Sequence, residues 1–146
     1  MASSTLPTIL LIPGAFTTPA CYDSVLPHLH KEGFETVVAY LSTTNPRDPE
    51  TCNAETEGAW LVQQYVQPLL DAQKDVVVYA HSFGATALGT SGNSLVESER
   101  RKSGQKGGVV GIVYMTFVAV PAGESQLALL GGTWPPFCKL DSVSLS

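Results

Sequence analysis

The stretch Asp75 to Gly84, D-V-V-V-Y-A-H-S-F-G, constrains this chain more than any other. Four β-prone apolar residues, Val76 to Tyr79, run directly into Ala80-His81-Ser82-Phe83-Gly84, and the small residues Ala85 to Gly89 that follow can turn helical. A buried strand, a tight turn with serine at its apex and a helix packed close behind form a nucleophile elbow. Such a turn forces the serine backbone into a strained conformation, so the residues two before and two after it must be small. Here they are Ala80 and Gly84. The pattern usually carries glycine at the first position, and alanine is a conservative departure. The turn lifts the hydroxyl clear of the sheet and leaves the Phe83 N–H facing any negative charge that develops on an attacked carbonyl. A plain helix cap is the competing explanation for Ser82, and the pentapeptide alone leaves both open.

The 146 residues amount to a single domain, 1–146, with enough chain for a real core. Hydrophobic residues make up 44% and charged residues 14%, which fits strands buried on both faces. A net charge of −5 argues against a general nucleic-acid surface. The one basic cluster, Arg100-Arg101-Lys102 with Lys106, lies among Ser, Gly and Gln and reads as a solvated loop. Three widely spaced cysteines, Cys21, Cys52 and Cys138, suit neither a disulfide framework nor a zinc site, so no metal is expected and a reducing, cytoplasmic setting is. The apolar run Ile9 to Ile12 is too short for a signal peptide or a membrane span.

Read in order, Thr8 to Ile12 is a buried strand ending at Pro13-Gly14. Thr18 and Pro19 open a helix with the apolar stripe Tyr22, Val25, Leu26, Leu29, running to Gly33 and kinked at Pro27. Glu35 to Tyr40 is the second strand, and Leu41 to Asn53 a long polar loop of the kind that lines sites. Glu55 to Gln73 is the second helix, bent late at Pro68. The third strand, Val76 to Tyr79, leads into the elbow and a helix from Phe83 to about Ser91. Asn93 to Gly108 is polar, with a helical turn at Glu97 to Arg101. Val109 to Val118 is the fourth strand, and beyond Pro121 no periodic element is convincing.

Strands alternating with helices give right-handed crossovers and an α/β, doubly wound, mainly parallel sheet. Such sheets bind ligands beyond the C-terminal strand ends where strand order reverses. With the first and third strands as neighbours, the Pro13 to Phe16 loop lies beside the elbow. Backbone N–H groups of Ala15 and Phe83 then form an oxyanion hole, with Phe16 and His81 placed to touch substrate. A nucleotide-binding domain would carry a glycine-rich phosphate loop after the first strand, and Pro13-Gly14-Ala15-Phe16-Thr17 is not one.

Three segments, I-L-L-I-P-G-A-F (9–16), D-V-V-V-Y-A-H-S-F-G-A (75–85) and G-G-V-V-G-I-V-Y-M (107–115), resemble in order and spacing the α/β-hydrolase superfamily. The likeness is to the small esterase branch that includes plant methylesterases, hydroxynitrile lyases and many fungal and bacterial relatives. It covers nearly the whole chain. Pro13 departs from the histidine that this family most often has there. The resemblance implies a serine hydrolase, with Ser82 as nucleophile, acting without cofactor on an ester, thioester or lactone of a small, mostly apolar molecule, in fungi often within secondary metabolism. It also implies an acid and a histidine downstream on later strands. None is expected here, because the pattern gives an incomplete α/β-hydrolase sheet of four core strands, and the chain holds only His28, His30 and His81. The first two sit on a helix before the serine, and His81 points back into the fold. Glu124 and Asp141 read as surface carboxylates. The alternative is a truncated relative that keeps a pocket for binding or interaction without the chemistry. The open edge of the fourth strand invites self-association.

Overall fold

The computed structural model describes residues 6–91, 95–115, 120–121 and 123–136. Four parallel strands, β1 (Thr8–Ile12), β2 (Thr36–Val38), β3 (Asp75–His81) and β4 (Gly108–Met115), form one sheet in the order β2-β1-β3-β4. Helices flank them: α1 (Leu26–Lys31), α2 (Ala54–Leu61), α3 (Gln67–Asp71), α4 (Phe83–Gly89), α5 (Glu97–Lys102) and α6 (Gln126–Leu129). The expected incomplete α/β-hydrolase sheet is therefore present. β1 and β3 are its central neighbours, with Leu10 opposite Val78 and Ile12 opposite Ala80. These side chains, with Val76, are fully buried and pack with Leu61, Val66, Leu70, Ala85 and Ala87 of the α2–α4 layer. Alternation along β3 puts Val76, Val78 and Ala80 on that dry face and leaves Val77 and Tyr79 half-buried on the other.

Prolines explain several differences from the sequence reading. The stretch after Thr18 is a 3₁₀ turn, Pro19–Tyr22, followed by a separate α1. Pro27 sits in the first turn of α1, where its missing N–H costs nothing, so it starts the helix instead of kinking it. The second helix runs without a break from Ala54 to Asp71 but widens into a π turn over Val62–Val66, where the Gln67 N–H reaches back five residues to the Val62 carbonyl. Pro68 follows at once and cannot donate the next helical bond, which accounts for the defect. β3 is longer than Val76 to Tyr79, and β2 is shorter than Glu35 to Tyr40. Beyond Pro121 a one-turn helix, α6, does form, held by Ser125, whose Oγ accepts from the Ala128 N–H at 3.1 Å. Residues 92–94 and 116–119 lie outside the described residues, as do Cys138 and Asp141.

The basic cluster is consumed locally. Arg101 pairs with Glu97, Lys102 with Glu99 at 2.7 Å, and Arg100 donates to the Gly107, Leu70 and Lys106 carbonyls. No helix among the described residues is long and apolar enough to cross a membrane. Among the described residues β4 is the sheet edge, and its Val110, Ile112, Val113, Tyr114 and Met115 are 40–53% exposed.

Glu57, on α2, is fully buried yet faces no cation among the described residues. It is satisfied instead by three donors from the loop after β2: Ser42 N–H at 3.1 Å, Ser42 Oγ–H at 3.0 Å and Thr43 N–H at 2.8 Å. Burying a carboxylate is tolerable only with such a set. The same bonds fix where the loop leaves the sheet. Glu57→Ala strips acceptors from two backbone N–H groups and should destabilise the fold by about 3 kcal/mol. Glu57→Gln, which keeps one acceptor oxygen, should cost about half of that. Urea unfolding midpoints of the two variants against the unaltered chain give the comparison.

Candidate active site

β3 delivers Ser82 to the C-terminal edge of the sheet. Its backbone sits at φ 49°, ψ −120°, a conformation that non-glycine residues rarely adopt. Two features hold it there. The Ser82 N–H donates to the Met115 carbonyl at 3.1 Å, the last bond of the β3–β4 ladder, and the Ser82 carbonyl accepts from Ala85 N–H at 3.0 Å as α4 begins. Strain of this kind persists only where the surroundings enforce it. Ser82 makes no side-chain capping bond to α4, so the plain helix-cap explanation for this serine is wrong.

The small neighbours are required by contact. A Cβ on Gly84 would run into the Pro13 carbonyl oxygen and lie 2.5 Å from Ile12 Cγ2. Gly84 thus allows α4 to press against the end of β1, and Ala80 is fully buried beside it. Gly58 does the same between α2 and α4, where a side chain would strike the Ala87 carbonyl and Thr90. The loop after β1 closes the other side. A Cβ on Gly14 would lie 3.1 Å from Ser82 Cβ and 3.2 Å from His81 Nδ1, so Gly14 stands directly over both. The loop then turns tightly, with Thr17 N–H and Thr17 Oγ–H both donating to the Gly14 carbonyl, at 3.4 and 2.7 Å. Phe16 takes φ 61° in that turn and is 93% exposed.

Tyr22 supports this loop from below. Its hydroxyl donates to the Ile12 carbonyl at 3.2 Å, and its ring stands edge-on to Tyr79 with centroids 6.0 Å apart. Burial, with the neighbouring Cys21 and Tyr79, pushes the Tyr22 hydroxyl well above its ordinary range. The sequence showed Tyr22 only as one position of a helical stripe, and nothing in the pattern marked its hydroxyl or Glu57 as anchors of the two loops at this edge.

Ser82, Phe83, Gly14, Ala15, Phe16 and His81 are therefore gathered at the β1–β3 crossover by sheet order. His28 and His30 are not. Both are exposed on α1, and His30 Nε2 shares a hydrogen bond of 2.7 Å with Thr36 Oγ1. Thr36 pairs with Ile9 at the opposite end of the sheet. Glu124 is exposed and lines a groove with Phe83. Among the described residues no three His, Cys, Asp or Glu side chains converge as a metal site would need.

The sheet order, the serine elbow and the overlying loop define an α/β-hydrolase core. The model of the alpha/beta hydrolase family matches residues 9–141, and this chain belongs to that family. It is 34% identical over 128 residues to a probable hydrolase, R7, of Phoma sp., a match covering 88% of the chain and 49% of that protein. It is 28% identical over 119 residues to the alpha/beta hydrolase nvfD of Aspergillus novofumigatus, covering 82% and 46%. The chain thus spans about half the length of these curated relatives. Among solved structures, the pyrethroid hydrolase PytH superposes with a TM-score of 0.53 at 23% identity, over 81% of this chain and 43% of PytH, a likeness of fold.

Two outcomes follow from this geometry. Gly84→Val should destabilise the chain by at least about 2 kcal/mol, because β1 and α4 cannot separate without breaking the sheet, and thermal unfolding measures it. For Tyr22, the raised hydroxyl means the folded state keeps its proton longer than the unfolded chain. Its contribution is fully present below the unfolded value near 10 and is lost as pH climbs through the folded value. Stability should fall above about pH 10 more steeply than in Tyr22→Phe, as denaturant titrations at successive pH values will record.

Proposed function

We propose that Ser82 is the nucleophile of a hydrolase acting on an ester, thioester or lactone of a small, mostly apolar molecule. The observation that carries this reading is the strained, uncapped serine at the start of α4 beneath Gly14. Ser82 Oγ attacks the carbonyl carbon and its proton passes to a base. The carbonyl oxygen becomes an oxyanion accepting from the Phe83 and Ala15 N–H groups. Collapse expels the alcohol or thiol and leaves an acyl-serine, which water then hydrolyses. Phe16 and His81 border the entering carbonyl. His81 is the sole histidine of the chain at this end of the sheet. A serine hydroxyl without a base attacks poorly, so the base governs the rate. A role in fungal secondary metabolism, in the cytoplasm, completes the proposal, and hydrolases of Phoma and Aspergillus are among the relatives.

A fluorophosphonate probe tests this directly. The folded chain should be labelled, and Ser82→Ala should lose labelling by more than about 100-fold. A folded chain that resists the probe would end the catalytic reading.

The second reading, an interaction protein, is favoured by β4. Eight uncharged residues, Gly108 to Met115, form an edge strand with no charged gatekeeper. Strand addition by a second copy would cover it. Val113→Lys should then shift the sedimentation profile toward monomer while leaving circular dichroism unchanged. An unchanged profile in both chains would remove this reading.

A further inference from the structure

Two backbone N–H groups at the elbow, those of Ala15 and Phe83, donate to no group among the described residues. Phe83 opens α4, where an N–H has no helical partner and the helix itself sets its direction. Ala15 lies in a loop, so its direction needs another cause. The Ala15 N–H shares one trans peptide plane with the Gly14 carbonyl, and in such a plane the two point opposite ways. Whatever holds the Gly14 oxygen therefore aims the Ala15 N–H. Thr17 holds that oxygen twice, with its hydroxyl at 2.7 Å and its backbone N–H at 3.4 Å. The backbone bond is long for an N–H donor, so the hydroxyl is the stronger hold. Two features make a hold necessary. Gly14 rotates easily about its own bonds, and Phe16 takes φ 61° at the third position of the turn, where positive φ favours glycine. Tyr22, on the Ile12 carbonyl, sets where the loop leaves the strand, several bonds before this peptide.

We propose that Thr17 is a positioning residue, whose hydroxyl aims the Ala15 N–H at the oxyanion formed on Ser82. This rests on the serine-hydrolase reading. Thr17 touches neither the substrate nor the reacting atoms and acts through the Gly14–Ala15 peptide in two ways. It keeps the plane from turning, so the donor is in place before charge develops on the attacked carbonyl. Its bond to the Gly14 oxygen also polarises the amide and strengthens the N–H at the other end as a donor. The hydroxyl is what matters at this position. Valine has nearly the same shape and lacks the hold, whereas serine lacks the methyl group and keeps the hold.

The test compares the unaltered folded chain with Thr17→Val and Thr17→Ser. Saturation kinetics with a fluorophosphonate probe separate binding of the probe from bond formation at Ser82. In Thr17→Val the limiting rate should fall at least about tenfold, a part of the roughly 10²–10³ that loss of a whole oxyanion donor costs, with the half-saturating concentration unchanged. Thr17→Ser should restore the rate. A second measurement needs no chemistry. The residual dipolar coupling of the Ala15 N–H, in isotope-labelled chain, reports the direction of that bond. It should change in Thr17→Val and return in Thr17→Ser, while the couplings of β1 and β3 stay as they are. A valine variant labelled at the unaltered rate, or an Ala15 coupling that does not move, overturns the proposal and leaves Ser82 as the nucleophile. An unaltered chain that resists the probe ends the serine reading, and this proposal with it, whatever the coupling shows.

Discussion

The fold at the functional edge depends on one close approach, that of α4 to the end of β1. Gly84 lies against the Ile12 side chain and the Pro13 carbonyl with no room for a methyl group. That contact fixes where α4 begins, and so where the β3-to-α4 turn must be made. The turn has no residue to spare. Ser82 is held at φ 49° between a ladder bond to Met115 and the first helical bonds of α4. A strained backbone bounded by a strand and a helix cannot relax without unzipping one of them, which is why the strain is stable.

Around this contact the molecule places its polar anchors at the same edge. Tyr22 ties down the end of β1, just before the Gly14 turn. Glu57 gathers the backbone of Ser42 and Thr43 where β2 releases its loop. Each anchor takes a buried polar group, costly by itself, and satisfies it with donors or acceptors from a loop. The loops at this edge are thereby positioned by the core and not by their own residues. At the opposite end of the sheet the buried Thr8 donates to Glu35, which pairs with Lys74, and His30 meets Thr36.

Much of this was legible in the sequence because it is local. The V-V-V-Y-A-H-S-F-G run states strand, turn and helix in consecutive residues, and the small residues at 80 and 84 declare close packing. The parallel order followed from alternation of strands and helices. The rest was not local. Glu57 reads in sequence as an ordinary surface acid of a helix, since its partners are 14 and 15 residues away. The π turn before Pro68 and the separate start of α1 at Pro27 depend on how a proline falls relative to a helix start, which composition does not fix. The oxyanion role of the Ala15 and Phe83 N–H groups stays a reading of backbone placement.

The most direct measurement of the central claim is a crystal structure of the chain after reaction with a methylphosphonate ester. The account predicts phosphorus bonded to Ser82 Oγ, with the phosphoryl oxygen about 2.7–3.1 Å from both the Phe83 and Ala15 N–H groups. Phosphorus on another residue, or on Ser82 with its oxygen turned to solvent and away from both N–H groups, would contradict it.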